Sequence, residues 1–380
     1  MSGVQPKVGL SGIGLEPDVD AETGAVLERF GFDAAHFAEL RERVRTGALS
    51  PESNVVRGKL EPPAASDLVA LPERGDDEDA RAAGLEALAA GHVATVVLNG
   101  GMATRFGGVV KGTVEVLGGR SFLELKLAST AEVAAGLGAA IPVAVMTSFA
   151  TDAATREFVA SRRLPEPLWF SQFVSLRLER NGELFRGADG RPSPYAPGHG
   201  DLLAAFRHSG VLARLRAAGV RHVMVSNVDN LGARIDPAVV GMHLLGGRPV
   251  TAEVAAKGGD LGGAPVRVDG RPQLLEAPRF PPSFDQSRIP VFNVNTVTLD
   301  LDVLDRDYDL TWLYVEKSVG GRTAVQLERV FHEITAFVPT TFLVVPRGGP
   351  RGRFFPIKTP EDLEATRGAL RELLATSPLA

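Results

Sequence analysis

The chain has no cysteine, little net charge and no apolar run long enough to cross a bilayer. Without cysteine it forms no disulfide, thiolate nucleophile or cysteine-ligated metal site, which fits a reducing compartment. A formal charge of −5 supplies no basic field, which argues against nucleic acid and membranes as partners. The amino-terminal stretch MSGVQPKVGLSGIGLEPDVD lacks the basic and apolar segments of a signal peptide, so we expect a cytoplasmic protein.

The composition is that of a globular protein, with 44% hydrophobic and 23% charged residues among 380. Residues 1–90 favour helices. Asp33 can cap the helical pattern FDAAHFAELRERVRTG, and Gly91 can end a second helix, DEDARAAGLEALAAG. We therefore expect residues 1–90 to form a helical segment that packs on a larger domain, residues 91–380.

From His92 onward, short apolar runs alternate with helical patterns. The runs predict strands buried on both faces of a sheet: HVATVVL, IPVAVMTS, VRHVMVSN, VFNVNTVTL and TFLVVP. Two of the helices carry strong start signals, a capping box at Ser121 and Glu124 and an N-cap at Thr359 followed by Pro360. This alternation predicts an α/β fold with a mostly parallel sheet, in which ligands bind beyond the carboxyl ends of the strands.

One such strand end carries the glycine-rich stretch LNGGMATRFGGVVKG, residues 98–112. Its glycines match neither the spacing of a dinucleotide-binding loop nor the Gly-Lys-Ser/Thr of a Walker loop. Backbone N–H groups without a neighbouring Cβ can still approach phosphate oxygens closely, and Arg105 and Lys111 add positive charge. A triphosphate site and a glycine-rich connection without function both fit these residues.

Two further strand ends or turns carry polar side chains. Asp229 lies in SNVDN, at the carboxyl end of the strand VRHVMVSN and between two amides, which suits Mg²⁺, although an Asx turn would have the same sequence. His199 lies between two glycines in PGHGD, just before a predicted helix, where it could contact a ligand or serve the turn alone.

The motifs, taken together and in order, resemble those of the UTP:glucose-1-phosphate uridylyltransferase (UDP-glucose pyrophosphorylase) family. They are LNGGMATRFGGVVKG, MTSFATDAAT, FSQFVSLRL, PGHGDLLAAFRHSGVL, VSNVDNLGARID, AEVAAKGGD, FNVNTVTL, VQLERV and RGRFFPIKTPEDL. The resemblance implies a Rossmann-like fold of the nucleotide-diphospho-sugar transferase type, with a mixed, mostly parallel sheet and an N-terminal helical extension. It also implies a nucleotidyltransferase that joins UTP and glucose 1-phosphate to give UDP-glucose and pyrophosphate.

The resemblance assigns roles by position. It implies that Arg105, Lys111 and Lys358 act in catalysis and that Asp229 binds Mg²⁺. The residues implied for nucleotide binding are Leu98, Asn99, Gly100, Gly101, Gln172, Gly198 and His199, with Gln172 near the uracil. The residues implied for the sugar phosphate are Asn227, Lys257, Glu276, Asn293 and Asn295. From its residue type alone, Gln172 is equally a polar residue at a strand edge.

The glycine loop departs from the family pattern at Ala103, where the family has glycine, and from Thr113 to Glu115. These departures leave open a related nucleotidyltransferase for another nucleotide or another sugar or cyclitol phosphate, and a nucleotide-sugar-binding protein without activity. Family members from eukaryotes carry a further C-terminal domain used in assembly, and this chain stops at Ala380. We therefore expect a monomer or a weak dimer.

Overall fold

The computed structural model describes residues 19–103, 106, 108–259 and 262–379. The helices of this part of the chain are α1 (Ala21–Arg29), α2 (Ala34–Arg45), α3 (Glu78–Ala89), α4 (Phe122–Leu137), α5 (Asp152–Ser161), α6 (Leu202–His208), α7 (Val211–Ala217), α8 (Pro237–Gly246) and α9 (Pro360–Ala375). The predicted helix starts are confirmed: Asp33 accepts a hydrogen bond from the His36 N–H at 2.9 Å, and Ser121 and Thr359 each form a capping box.

The strands of the described residues are β1 (Leu60–Glu61), β2 (Leu68–Ala70), β3 (Val93–Leu98), β4 (Met102–Ala103), β5 (Val109–Val110), β6 (Glu115–Leu117), β7 (Arg120–Ser121), β8 (Val143–Thr147), β9 (Leu168–Ser171), β10 (Ser175–Leu176), β11 (Pro194–Tyr195), β12 (His222–Asn227), β13 (Val250–Ala256), β14 (Ala264–Val268), β15 (Arg271–Leu275), β16 (Val291–Asp300), β17 (Leu313–Val319), β18 (Arg322–Glu328) and β19 (Thr340–Val344).

Eight of these strands form the central sheet, in the order β2-β19-β13-β16-β12-β3-β8-β9. Every neighbouring pair is parallel except the two that involve β16, which runs antiparallel to both β12 and β13. The prediction of an α/β fold with a mixed, mostly parallel sheet is confirmed. All five predicted strands lie in this sheet, and most of their apolar side chains are buried.

The segment before residue 90 contains more than helices. Strand β2 joins the edge of the central sheet beside β19, and β1 pairs with β14 in a smaller sheet. Helices α1 and α2 bury Leu27, Phe37 and Leu40 in an apolar cluster with residues of the β17–β18 hairpin. The division of the chain at residue 90 stays a prediction. None of the described helices combines the length and the apolar character that a bilayer span requires.

Helices α3 and α8 approach so closely that their contact has no room for side chains. A Cβ atom built on Gly84 would lie 1.8 Å from the Pro237 carbonyl oxygen, and one on Gly241 would lie 1.6 Å from the Ala80 carbonyl oxygen. Backbone atoms cannot move aside as side-chain ends can. Both glycines are therefore required by the packing of the two helices.

We expect Gly84→Ala to destabilise the protein by about 3 kcal/mol or more, because the two helices must separate to admit the methyl group. The matched control is Gly368→Ala in α9, where a Cβ atom would meet nothing within 4 Å. This control should raise the free energy of unfolding by about 0.5–1 kcal/mol, since alanine favours the helix. Urea denaturation of both variants measures the difference, and equal midpoints would contradict the prediction.

Candidate active site

The register of the central sheet brings several of the predicted site residues to one edge. Leu98 pairs with Asn227 on one side and with Met146 on the other, and Met146 pairs with Phe170. The carboxyl ends of β3, β8, β9 and β12 therefore lie side by side. The loops that follow them begin with the glycine-rich stretch, with Ser148, with Gln172 and with Val228.

Asn99 shapes the glycine-rich loop from inside the protein. Its side chain is fully buried, its Oδ1 accepts a hydrogen bond from the Gly112 N–H at 3.1 Å, and its Nδ2 donates to Thr155 at 3.1 Å. Its carbonyl oxygen accepts from Thr151 at 2.9 Å. These hydrogen bonds close the loop between residues 99 and 112. The predicted contact of Asn99 with the nucleotide stays a prediction.

Closure of the loop brings Lys111 to Asp229. The Lys111 Nζ atom and an Asp229 carboxylate oxygen form an ion pair, with side chains 21% and 15% exposed. These two residues, predicted for catalysis and for the metal, are thus in direct contact although 118 positions separate them. Arg105, the other predicted loop cation, lies outside the described residues.

Gln172 lies against the start of the same loop. A Cβ atom on Gly100 would be 2.7 Å from the Gln172 Nε2 atom, so glycine is required at position 100 for this contact. The Gln172 backbone N–H donates to the Thr147 carbonyl at 2.9 Å, which fixes the residue at the edge of the sheet. Gly101 is exposed, whereas Leu98 is 8% exposed and belongs to the core. The exposed backbone of the loop thus begins beside the Gln172 amide.

The PGHGD turn is fixed by Arg329 and its neighbours. The Gly200 N–H donates to the Arg329 carbonyl at 2.9 Å, and a Cβ atom on Gly200 would lie 2.5 Å from the Arg329 Cβ atom. The Arg329 guanidinium donates to the buried Asp201 carboxylate at 2.8 Å. Gly198 has a φ of +97°, which an L side chain rarely adopts. Both glycines that flank His199 are therefore needed for the turn.

His199 is a neutral side chain in this turn. Its Nδ1 accepts a hydrogen bond from the Phe331 N–H at 3.1 Å, so the remaining proton is on Nε2. Burial, reinforced by the neighbouring His332, lowers the His199 pKa to about 3. His199 can therefore donate a hydrogen bond through Nε2 at neutral pH but carries no charge for an anion.

The predicted sugar residues on β16 lie in a bulge of that strand. Ala252 pairs with Val297 and Val254 pairs with Asn293, so two steps along β13 face four steps along β16. Asn295 takes a left-handed conformation there, with φ of 56°, and its Oδ1 accepts from Asn293 Nδ2 at 2.8 Å. Bulges re-aim side chains beside functional sites, and asparagine tolerates this backbone conformation better than most residues.

Glu276 contacts a histidine that the motifs do not include. The His332 Nδ1 atom is 3.5 Å from a Glu276 carboxylate oxygen, and the His332 ring lies 4.9 Å from the His199 ring between centroids. Burial alone would raise the Glu276 pKa, but the two histidines and Asn293 outweigh it and hold the pKa below its usual value. Gly263 leaves the space for this carboxylate, because a Cβ atom there would be 3.0 Å from it.

His332 itself is 1% exposed, and neither ring nitrogen has a well-formed hydrogen bond to any described residue. Such a buried polar group is costly unless something else satisfies it. In the sequence, His332 lies in the segment VFHEIT, where apolar and polar residues are mixed. Nothing in that pattern distinguishes it from a histidine at the surface.

The two remaining predicted lysines also lie near this edge, and neither forms an ion pair with another described residue. Lys257 follows β13 and donates to the Gln286 carbonyl at 2.9 Å. Lys358 is exposed at the start of α9. The segment before it is anchored beside Asp229, because Asn230 bridges Pro356 and accepts from the Phe355 N–H at 2.9 Å.

A buried lysine supports the end of β12 from below. Lys126 of α4 donates to Ser226 at 3.0 Å and to the Ala233 carbonyl at 2.7 Å. Burial, with a smaller contribution from Arg353, lowers its pKa to about 7, although the nearby Asp229 opposes that shift. This residue was missed in the sequence, where it interrupts the apolar pattern LELKLAS as surface lysines also do.

The family model described as UTP–glucose-1-phosphate uridylyltransferase matches residues 35–376. The chain belongs to this family. It is 30% identical over 284 residues to the UTP–glucose-1-phosphate uridylyltransferase of Solanum tuberosum, a match that covers 70% of this chain and 59% of the potato protein. The chain therefore spans less than two thirds of that relative.

Solved structures share the fold. The UDP-N-acetylglucosamine pyrophosphorylase of Trypanosoma brucei, in complex with an inhibitor, has a TM-score of 0.74 at 18% identity, covering 96% of this chain and 85% of that chain. A variant of the Leishmania major UDP-glucose pyrophosphorylase, in complex with UDP-glucose, has a TM-score of 0.68 at 24% identity, covering 91% and 79%. The predicted family and fold are confirmed.

The low pKa of His199 predicts a pH dependence of stability. Between about pH 6.5 and pH 3 the unfolded chain takes up a proton at this imidazole that the folded protein does not, so acidification destabilises the fold. We expect His199→Asn to reduce this loss by about 1 kcal/mol for each pH unit below 6.5. Asparagine can still accept the Phe331 hydrogen bond.

Urea denaturation at several pH values between 7 and 4 measures the effect. The control is His36→Asn, which replaces a histidine side chain that is 39% exposed and should retain the wild-type slope. A His199→Asn variant with the same pH slope as the wild type would show that His199 is not the group responsible.

Proposed function

We propose that this protein transfers a uridylyl group from UTP to glucose 1-phosphate and releases pyrophosphate. The observation that carries the proposal is the contact between Lys111 of the glycine-rich loop and Asp229 at the end of β12. A cation and an acid meet there beside exposed loop backbone, at the sheet edge where α/β proteins bind nucleotides. Membership of the uridylyltransferase family supports the same reaction.

In the proposed reaction, a non-bridging oxygen of the sugar phosphate attacks the α-phosphorus of UTP. A new P–O bond forms, the bond from the α-phosphorus to the bridging oxygen breaks, and pyrophosphate leaves with that electron pair. The attacking oxygen is already anionic at neutral pH, so no side chain has to remove a proton. The protein must align the two substrates and offset the repulsion between them.

In the proposed mechanism, lysines supply the positive charge that offsets this repulsion. Lys111 contacts the triphosphate from the loop, while Lys358 and Lys257 meet the sugar phosphate from the other side of the cleft. Arg105 remains a further proposed contact to the triphosphate. Since the ion pair holds Lys111 next to Asp229, little rearrangement is needed before these groups act on substrate.

Asp229 is the residue that we propose to hold Mg²⁺. Its carboxylate is 15% exposed, so water can reach it, and the amide residues Asn227 and Asn230 lie near it in the sequence. One carboxylate with room for water and phosphate oxygens is the donor set that Mg²⁺ favours. When bound, the ion supplies positive charge to the phosphates.

The sugar hydroxyls are bound, in this proposal, by the amide and carboxylate groups of the β16 bulge and its surroundings. Asn227, Glu276, Asn293 and Asn295 supply donors and acceptors. A hydroxyl group would also satisfy the buried ring of His332, which has no well-formed hydrogen bond to the described residues. The proposed sugar pocket therefore includes one imidazole beyond the predicted set.

We expect Asp229→Asn to lower turnover by about 10²-fold or more while the fold survives, because the amide keeps the size but loses the charge. Pyrophosphate release from UTP and glucose 1-phosphate measures turnover, and thermal melting checks the fold. Asp307→Asn is the control, since Asp307 is 92% exposed at the surface. Chelation should abolish wild-type activity and added Mg²⁺ should restore it. Full activity of folded Asp229→Asn would remove Asp229 from the mechanism.

We expect a preference for UTP that depends on Gln172. An amide that pairs with uracil and is left unpaired by another base costs about 1–3 kcal/mol, so Gln172→Ala should reduce the preference about 10- to 100-fold. Competition among the four nucleoside triphosphates measures this ratio. Gln273→Ala in β15 is the control and should keep the wild-type preference. A wild-type protein that favours GTP or ATP would contradict the uridylyl assignment.

A further inference from the structure

Two histidines and an aspartate meet at the edge of the sheet opposite the candidate active site. His222 is the first residue of β12 and pairs in register with Asp300, the last residue of β16. His243 reaches the same place from α8. Because β12 has six residues, this cluster lies roughly 16 Å from Asn227 along the strand.

The three side chains converge on one oxygen atom. The Asp300 Oδ1 atom is 2.8 Å from His222 Nδ1 and 3.2 Å from His243 Nε2. All three potential ligand atoms lie within 4.8 Å of one another. In a tetrahedral zinc site, with bonds of about 2.0–2.2 Å, neighbouring ligand atoms are roughly 3.3 Å apart. Small side-chain rotations therefore suffice to admit one ion.

The surroundings of the cluster resemble those of a built metal site. The ring of His243 is 1% exposed, and its other nitrogen, Nδ1, is 3.0 Å from the Thr251 hydroxyl. Such a second hydrogen bond orients an imidazole and leaves the opposite nitrogen for a metal. Two imidazoles and a carboxylate are ligands typical of zinc and other divalent transition metals.

An open position is available for a fourth ligand. His222 and Asp300 both line a cavity of about 730 Å³, and the Asp300 side chain is 41% exposed. Arg216, Arg221 and Arg306 also line this cavity. A water molecule or a small anion can therefore complete the coordination from the cavity side, since the ion with one carboxylate would keep a net positive charge.

The same three residues could also form only a hydrogen-bonded network, in which Asp300 accepts from both imidazoles. That arrangement needs no second histidine and no access from the cavity, whereas a metal site uses both features. We propose that His222, His243 and Asp300 bind a divalent transition-metal ion, specifically Zn²⁺, at a site separate from the candidate active site. This site joins α8, β12 and β16 and does not depend on the proposed function.

The test is Zn²⁺ binding to the full chain after chelation and dialysis, measured by equilibrium dialysis with metal analysis. We expect one Zn²⁺ per chain. Binding should weaken roughly 10- to 100-fold or more in His222→Gln and in Asp300→Asn, and about 10-fold in Thr251→Val, which removes only the supporting hydroxyl. Asp302→Asn is the matched control, because Asp302 is 80% exposed in the lining of the same cavity but is not a proposed ligand.

A second control separates this site from the candidate active site. Asp229→Asn should bind Zn²⁺ as the wild type does. Absence of binding by the wild type, unchanged binding by both ligand variants, or loss of binding only in Asp229→Asn would each overturn the proposal. If the ligand variants fail to fold, the visible spectrum of the wild type loaded with Co²⁺ decides: strong four-coordinate bands support the site, and weak six-coordinate bands overturn it.

Discussion

Parallel pairing of β3 with β12 is the constraint on which the candidate active site depends. The register that joins Leu98 to Asn227 makes both strands end at the same level, so the glycine-rich loop and the turn at residues 228–230 begin side by side. The buried amide of Asn99 then draws residue 112 back toward residue 99. Only with both features does Lys111 reach Asp229.

Buried polar groups hold the rest of this edge in position. Arg353 and Glu253 form a fully buried, bidentate ion pair with distances of 2.5 and 2.7 Å, which ties β13 to the segment that leads to Lys358. Losing one partner of such a pair leaves an uncompensated charge inside the protein. Lys126 likewise holds the end of β12 in position, because it donates a hydrogen bond to Ser226. The cleft therefore rests on side chains that do not themselves reach it.

Local patterns predicted the helix starts and five of the eight central strands, because caps and apolar runs depend on neighbouring residues. They did not predict that β16 is antiparallel to its neighbours, since an apolar run buried on both faces has the same pattern in a parallel and in an antiparallel strand. Strand β13 was not among the predicted strands. Glu253 interrupts its apolar run, and the partner that neutralises it is Arg353, a hundred positions away.

The motifs predicted Lys111 and Asp229, whose direct contact the structure adds. They also predicted Gln172 and Glu276, which lie beside Gly100 and His332. They did not reveal His332 or Lys126, which lie in segments of mixed apolar and polar residues and whose contacts, Glu276 and Ser226, are distant in the sequence. They also did not reveal the hydrogen bonds that Asn99 makes inside the loop, because a polar residue at a strand end has the same sequence signal whether its side chain turns inward or outward. The cytoplasmic location, the Mg²⁺ requirement and the monomer or weak dimer stay predictions.

The bulge in β16 limits how the length of this strand can change. Asn293 and Asn295 lie near its first residue, and Asp300 is its last. One strand therefore carries residues of the candidate active site at one edge of the sheet and a residue of the proposed zinc site at the other. Side chains alternate along a strand, and a single inserted or deleted residue between positions 295 and 300 would turn one end to the opposite face. Variation in chain length is therefore expected in the loops that flank β16 rather than within it.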